Sequence, residues 1–283
     1  MNNNNLMIKT MTREEVDIAV EWAAQEGWNP GLHDAECYYT ADHKGFLIGY
    51  LGNEPIATIS AIQYGKEFGF LGFYIVKPQY RGQGYGIQLW NAALNALAGR
   101  TIGLDGVVAQ QDNYKQSGFK LAYRNIRYQG NGGGHPPKNC EIIPLTALPS
   151  DDLDAYDRPF FPAARTQFTQ AWIHQPDAQA LGIMHQGKLA GYGVMRRCRT
   201  GYKIGPLFAD TAAGAESLFL ALKSNAKPAE PIFLDVPQVN QAAVDLAESY
   251  KMTVAFETAR MYTGNRPHLP LNRLFGVTSF EIG

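Results

Sequence analysis

A glycine-rich turn between an apolar run and an amphipathic stretch constrains the fold of this chain more than any other feature. The apolar run Leu71–Val76 is rich in aromatic and β-branched residues and is closed by Pro78, which predicts a strand. After the turn, apolar residues recur at helical spacing as far as Leu97, which predicts a helix that begins near Gly84. The turn between them reads Arg81-Gly82-Gln83-Gly84-Tyr85-Gly86.

This order of strand, turn and helix predicts a binding site for pyrophosphate. The first turn of a helix directs free backbone N–H groups and partial positive charge toward whatever lies in front of it. Glycine lets the backbone approach such a ligand closely because it has no Cβ. The turn is not a P-loop, because no Gly-Lys-Ser/Thr follows, and glycines at 82, 84 and 86 do not fit the dinucleotide-binding fingerprint.

The turn resembles the Arg/Gln-x-x-Gly-x-Gly/Ala signature of the GNAT superfamily of N-acetyltransferases. A second motif, Tyr114-Lys115-Gln116-Ser117-Gly118-Phe119, resembles the Tyr-x-x-x-Gly-Phe of that family. The resemblance covers residues 6–128 firmly and the rest of the chain loosely. It implies acetyl-CoA as the acetyl-donor cosubstrate. The residues that it implies in donor binding are Tyr74, Ile75, Val76, Arg81, Gly82, Gln83, Gly84, Tyr85, Gly86, Asn113 and Tyr114.

Composition narrows the class of protein and of partner. The chain has 283 residues, of which 45% are hydrophobic and 18% charged, as in a globular protein of one large or two medium domains. A net charge of -1 without a long basic run argues against a nucleic-acid or anionic-membrane partner. The three cysteines lie far apart, which argues against a disulfide framework or a zinc site. We therefore expect no metal.

The chain shows no sign of export or of a membrane anchor. The N-terminal segment lacks the apolar core of a signal peptide, and its asparagine run predicts a short disordered tail. No segment is apolar for long enough to cross a bilayer. We predict a cytoplasmic protein.

Glycines followed by prolines mark a linker near the middle of the chain. We predict a GNAT acetyl-CoA-binding catalytic domain at 1–129, a linker at 130–138 and a degenerate GNAT-like second domain at 139–283. The expected fold class is α/β with mixed sheets (α+β), as two tandem GNAT-like domains that each have a mostly antiparallel central sheet flanked by helices. Two segments of the first copy have counterparts in the second. Leu104–Val107 corresponds in sequence to Leu234–Pro237, and Arg127-Tyr128 corresponds less closely to Met261-Tyr262.

The second copy lacks the glycine turn, so it is not expected to hold pyrophosphate. Its predicted role is to wall the substrate cleft or to form a dimer surface, and the protein is expected to be a monomer or a homodimer. The segment Gly276–Glu281 predicts a final strand to which the sequence assigns no chemistry.

Acetyl transfer to an amine needs a neutral amine, a stabilised carbonyl oxygen and a proton for the leaving thiolate. The family resemblance implies that Tyr114 is the general acid, and a phenol with a pKa near ~10 stays protonated at neutral pH. Candidates for the base are Asp105, His33 and Asp34, although each also fits a structural role. The expected acceptor site consists of Trp28, His33, Asp34, Tyr74 and Asp105.

Three functional hypotheses remain at this stage. The first is an acetyl-CoA-dependent N-acetyltransferase that transfers acetyl directly to a primary amine, with a small molecule favoured because a second domain would close over the cleft. The alternative is a non-catalytic acyl-CoA-binding sensor or regulatory module. The third is an enzyme that transfers a longer acyl chain.

Overall fold

The computed structural model describes residues 5–138 and 140–283, so Asn2–Asn4 of the predicted disordered tail lie outside the described residues. The strands are β1 (Met7–Thr10), β2 (Phe46–Leu51), β3 (Glu54–Tyr64), β4 (Phe68–Val76), β5 (Thr101–Val107), β6 (Phe119–Asn131), β7 (Glu141–Pro144), β8 (Gln179–His185), β9 (Lys188–Arg197), β10 (Tyr202–Ala209), β11 (Pro231–Pro237), β12 (Thr253–Thr263) and β13 (Leu274–Gly276). The α-helices are α1 (Arg13–Gln25), α2 (Asp34–Ala41), α3 (Tyr85–Ala96), α4 (Gln111–Gln116), α5 (Ser150–Asp157), α6 (Thr166–His174), α7 (Ala212–Lys223) and α8 (Gln241–Ser249).

All strands of the described residues join one continuous sheet. Its order is β1-β2-β3-β4-β5-β12-β6-β11-β10-β9-β8-β7, and β13 pairs with β10. Most neighbours are antiparallel, and the parallel pairs are β4 with β5 and β10 with β11. The predicted fold class is confirmed, with the correction that the two halves share a single sheet.

The halves share the sheet because each gives its last long strand to the other. Strand β12 from the second half lies between β5 and β6, and β6 from the first half pairs with β11. The predicted linker is corrected at its start, since Gly130 and Asn131 belong to β6 and pair with Ile232 and Pro231 of β11. A cut after residue 129 therefore does not separate two self-contained sheets.

Helices cover the sheet, and one core extends through both halves. The Thr12 hydroxyl accepts a hydrogen bond from the Glu15 amide, and the Glu15 carboxylate accepts one from the Thr12 amide, which confirms the predicted N-cap of α1. Helix α2 of the first half packs against α6 of the second. There Tyr38 stacks on Trp172 with ring centroids 5.8 Å apart and meets the edge of Phe73.

The segment that follows β13 corrects the predicted final strand. Strand β13 ends at Gly276, and the following residues run through the core without strand pairing. The Ser60 hydroxyl donates to the Glu281 carbonyl over 3.2 Å, and the Tyr64 hydroxyl donates to the Ile282 carbonyl over 2.9 Å. A Cβ at residue 72 would overlap the Glu281 carbonyl, so Gly72 is needed for this close approach.

Two buried ion pairs join the exchanged strands at related positions. Arg260 of β12 donates two hydrogen bonds to Asp105 of β5, and Arg127 of β6 donates two to Asp235 of β11. Each arginine lies directly opposite its aspartate in the strand register. Arg127 of the first half therefore corresponds in position to Arg260 of the second half. The sequence comparison aligns Arg127 with Met261, one residue further along.

We predict that Arg260→Met lowers the free energy of unfolding by about 3–5 kcal/mol, because it leaves the buried Asp105 carboxylate unpaired. The control is Arg124→Met, where an exposed pair between β6 and β12 joins Arg124 to Glu257 over 3.6 Å. That control should cost at most about 1 kcal/mol. Urea unfolding measures both, and equal losses would contradict the structural role of the buried pair.

Candidate active site

A cavity opens where β4 and β5 separate. The two strands pair only from Phe68 and Thr101 to Leu71 and Leu104, and beyond that point a cavity of about 500 Å³ lies between them. Strand β4 also bulges there, because two of its residues face Ile59 of β3 alone. Such a bulge re-aims the backbone N–H groups and side chains of β4.

The residue at the centre of the bulge is Phe73, whose φ of 48° is in the left-handed region. A bulky residue rarely adopts this conformation, which costs on the order of 1–3 kcal/mol. Burial of the ring in the core and a 2.9 Å hydrogen bond from the Thr58 hydroxyl to the Phe73 carbonyl hold it in place. The next residues, Tyr74, Ile75 and Val76, which the family resemblance implies in donor binding, line the cavity.

The glycine turn forms the next wall of the cavity. Gly82 and Gly84 have φ values of 73° and 81°, which favour glycine, and the helix α3 begins at Tyr85 as predicted. Gly82, Gly84 and Gly86 all line the cavity. Within residues 5–138 and 140–283, no side chain caps the first N–H groups of α3. The turn thus has the backbone arrangement of an anion-binding site.

The other residues of the turn hold it in place. Arg81 lines the cavity, donates to the Val76 carbonyl over 2.7 Å and pairs with Glu26 just after α1. Gln83 and Tyr85 are outside the cavity wall: Gln83 donates to the Gln79 carbonyl, and Tyr85 is buried in the core. A Cβ at residue 86 would overlap the hydroxyl of Tyr74, so Gly86 permits close packing of α3 on β4.

Tyr114 lies in the cavity wall, as expected for a residue that meets the donor. Its ring stacks on Trp90 with centroids 5.5 Å apart, and it lies so close to β5 that only glycine fits at residue 106. Burial raises the pKa of Tyr114 to about 12, with a smaller contribution from Tyr74. The phenol is therefore protonated at neutral pH. Asn113 is exposed outside the cavity wall and donates to Gln110 over 2.6 Å.

Asp105 reaches the cavity, but both its oxygens are already occupied. Arg260 binds both oxygens, and the Asn125 amide donates to Oδ1 over 2.8 Å. The Asp105 side chain has no solvent-exposed area. Proton transfer to this buried carboxylate would require the ion pair to break.

The structure does not bring His33 and Asp34 to the cavity. Asp34 is fully buried, with Oδ1 bound by Arg196 over 2.8 Å and Oδ2 by the Gly31 amide over 2.7 Å. His33 lies at the surface with Nε2 3.3 Å from a carboxylate oxygen of Asp177. Of the predicted acceptor residues, Trp28, Tyr74 and Asp105 line the cavity.

Sequence reasoning gave the second half a possible role as a wall of the cleft but did not identify the residues that line the cavity. Phe256 and Thr258 of β12 and Phe280 and Glu281 of the C-terminal segment all line the cavity. Arg127 also lines it, with its guanidinium 5.0 Å from the centre of the Phe280 ring. The sequence pattern that could have pointed to Glu281 is a single acidic residue between two apolar ones, in Phe280-Glu281-Ile282.

Glu281 is a buried carboxylate in this wall, 3% exposed. Its Oε2 accepts hydrogen bonds from Ser279 over 2.6 Å and from Tyr38 over 3.2 Å. Burial alone would raise the pKa of Glu281, but Lys203, the Ser279 hydroxyl and Arg127 together lower it below the ordinary value. The side chain is therefore ionised at neutral pH.

Two further observations concern the described residues as a whole. No helix within 5–138 and 140–283 is long and apolar enough to span a membrane. Over the same residues, no group of three or more His, Cys, Asp or Glu side chains is arranged to hold a metal ion.

Comparisons with known proteins agree with this architecture. Residues 12–119 match the acetyltransferase (GNAT) family, and residues 153–276 match an acetyltransferase (GNAT) domain. Holothin acyltransferase of Pseudoalteromonas sp. (strain SANK 73390) is 29% identical over 275 residues, which are 97% of this chain and 94% of that protein.

Solved structures share the whole fold. A Pyrococcus horikoshii protein described as an acetyltransferase has a TM-score of 0.83 at 22% identity and covers 100% of this chain and 98% of its own. A tandem GNAT protein from the clavulanic acid biosynthesis pathway has a TM-score of 0.63 at 12% identity, over 93% of this chain and 100% of its own. With both halves matched and the cavity formed between them, this chain is an acyltransferase of the GNAT family built from two GNAT domains in tandem.

Proposed function

We propose that this protein is an acetyl-CoA-dependent N-acetyltransferase that transfers acetyl directly to a primary amine of a small molecule, with Tyr114 as the general acid. The observation that carries the proposal is that the glycine turn, the β4 bulge and the Tyr114 phenol line one cavity. A site that only bound the donor would not need a buried, protonated phenol there.

Membership of the GNAT family implies an acyl-CoA donor. The residues present fit its phosphate end, because Gly82, Gly84 and the start of α3 offer backbone N–H groups without side chains in the way. The bulged residues of β4 would bind the pantetheine arm through their main chain. The donor, when bound, supplies a thioester whose carbonyl carbon accepts the amine.

Tyr114 would give its proton to the sulfur as the thioester bond breaks. Its pKa of about 12 keeps the phenol protonated over the whole range in which an amine can be assayed. General acids contribute typically about 10²–10⁴-fold. A thiol has a pKa of about 8.5, so a thiolate leaves readily without help. We therefore expect the contribution of Tyr114 to the rate to be at the lower end of that range.

The size of the cavity favours a short acyl group and a small acceptor. A volume of about 500 Å³ must take the end of the donor together with the acceptor. The second half closes part of this space with the rings of Phe256 and Phe280. Thr258 also lines it, and its buried hydroxyl has no hydrogen-bond partner within the described chain.

The relative named for holothin supports acyl transfer by this chain, because the similarity covers nearly all of both proteins. The identity of the amine and the preference for acetyl over longer acyl groups are open to direct assay. A panel of acetyl-, propionyl- and butyryl-CoA against small amines and a protein substrate should show acetyl transfer to one class of small amine. Equal or faster transfer to the intact protein would contradict the small-molecule acceptor.

We predict that Gly84→Asp weakens acetyl-CoA binding on the order of tenfold or more, because it adds negative charge where the pyrophosphate would bind. Gly52→Asp is the matched control, with the same charge change at another glycine of positive φ, in the β2–β3 turn. Isothermal titration calorimetry gives both dissociation constants. If the two variants bind acetyl-CoA equally well, the glycine turn is not the donor site.

We predict that Tyr114→Phe lowers kcat by roughly 10²-fold while acetyl-CoA binding is unchanged. A raised pKa means that the phenol loses its proton only at more alkaline pH, so the wild-type rate should not fall between pH 7 and about 10 on account of Tyr114. Thiol release from acetyl-CoA measures both effects. A full wild-type rate in the phenylalanine variant would remove the assigned acid.

A further inference from the structure

We propose that Glu281 accepts the proton of the acceptor amine during acyl transfer. This inference rests on the proposed function and adds a catalytic residue that the second half of the chain brings to the cavity. It replaces the predicted bases Asp105, His33 and Asp34, whose surroundings do not suit that role.

The position of Glu281 is fixed from several sides. Ser60 binds its carbonyl, Ser279 and Tyr38 bind its Oε2, and Gly72 leaves space for its backbone. Such support holds a catalytic side chain in one orientation. Glu281 lines the same cavity as the β4 bulge and Tyr114, which are the proposed binding site of the thioester.

The second oxygen of the carboxylate is available for a substrate. In the part of the chain that the structure describes, the hydrogen bonds to the Glu281 carboxylate all go to Oε2, and none goes to Oε1. The two other carboxylates in the cavity wall differ from it: Asp105 has both oxygens bound by Arg260, and Glu26 pairs with Arg81 beside the glycine turn. Glu26 would thus lie near the phosphate end of the donor.

The cations around Glu281 keep the carboxylate ionised before the amine arrives. Lys203 and Arg127 lower its pKa against the effect of burial. Both cations are themselves buried, and Lys203 Nζ donates to the Trp28 carbonyl over 3.1 Å. The charged and titratable groups that influence or contact Glu281 are Tyr38, Arg127, Arg196 and Lys203.

In the proposed acyl transfer, Glu281 accepts one proton and Tyr114 donates one. The lone pair of the neutral amine forms the C–N bond, and the positive charge that develops on nitrogen makes its proton acidic. That proton passes to Glu281 Oε1, while the C–S bond breaks and its electron pair leaves on sulfur, which takes the Tyr114 proton. Return of one proton from Glu281 to Tyr114 through water restores the starting state, so an amine and a thioester give an amide and a thiol.

The test compares Glu281→Gln with the double variant Glu281→Gln/Lys203→Met. The single change leaves a buried positive charge uncompensated, whereas the double change restores the charge balance with side chains of similar volume. Lys203→Met alone shows what loss of the buried cation does while Glu281 stays in place, and the Trp28 carbonyl is still bound by Arg127. Acetyl-CoA affinity and circular dichroism verify that each variant folds and binds the donor.

We expect both Glu281→Gln variants to lose roughly 10²–10⁴-fold in kcat at pH 7, with acetyl-CoA affinity unchanged. Lys203→Met alone should lose less than either Glu281→Gln variant and should lose most at low pH, because removal of this cation raises the pKa of a carboxylate that is still present. The loss in the Glu281→Gln variants should shrink for acceptor amines of lower pKa and at higher pH, because the proton on the developing cation is then more acidic or hydroxide is more abundant, so that water or hydroxide can take it in place of Glu281. That pattern distinguishes a proton acceptor from a residue that only supports the fold.

Two results would overturn the inference. Recovery of the wild-type rate in the double variant would show that Glu281 only balances buried charge. A raised KM with an unchanged kcat in Glu281→Gln would show that it binds the ammonium form of the acceptor. If the wild-type protein binds acetyl-CoA but acylates no amine, the proposed function itself fails, and this inference fails with it.

Discussion

The buried pairing of arginine with aspartate across exchanged strands is the interaction on which the rest of the molecule depends. Arg260 reaches Asp105, and Arg127 reaches Asp235, in each case from a strand contributed by the other half. A buried carboxylate is costly unless a cation with matching hydrogen bonds accompanies it. Each buried aspartate therefore finds its arginine only when the exchanged strand lies beside it. The pair of Arg260 with Asp105 requires β12 beside β5, at the floor of the cavity.

Because of this strand exchange, two unequal copies of one fold both contribute residues to a single cavity. The first half supplies the glycine turn, the β4 bulge and Tyr114, which together suit an acyl-CoA. The second half has no glycine turn, but through β12 and the C-terminal segment it supplies Phe256 and Glu281 to the wall of the same cavity. Under the proposed function, a copy without the glycine turn would in this way still select the amine and accept its proton.

Local features were predictable, and contacts between distant residues were not. The start of α3 and the Thr12 cap follow from residues within one or two turns of each other. Asp105 was expected in its strand, but its partner Arg260 lies 155 positions away on a strand whose place depends on the exchange. Glu281 was missed for the same reason: the route of its segment through the core is decided by space at Gly72, which no local pattern reveals.

The most direct test of the central claim, that one cavity shared by both halves is the site of acyl transfer, is a crystal structure of the acetyl-CoA complex. We expect the pyrophosphate on the backbone N–H groups of Gly82–Gly86 and the sulfur within hydrogen-bonding distance of the Tyr114 hydroxyl. We also expect the acetyl group on the side of the cavity that Glu281 lines. A donor bound outside this cavity, or a thioester directed away from both side chains, would contradict that claim.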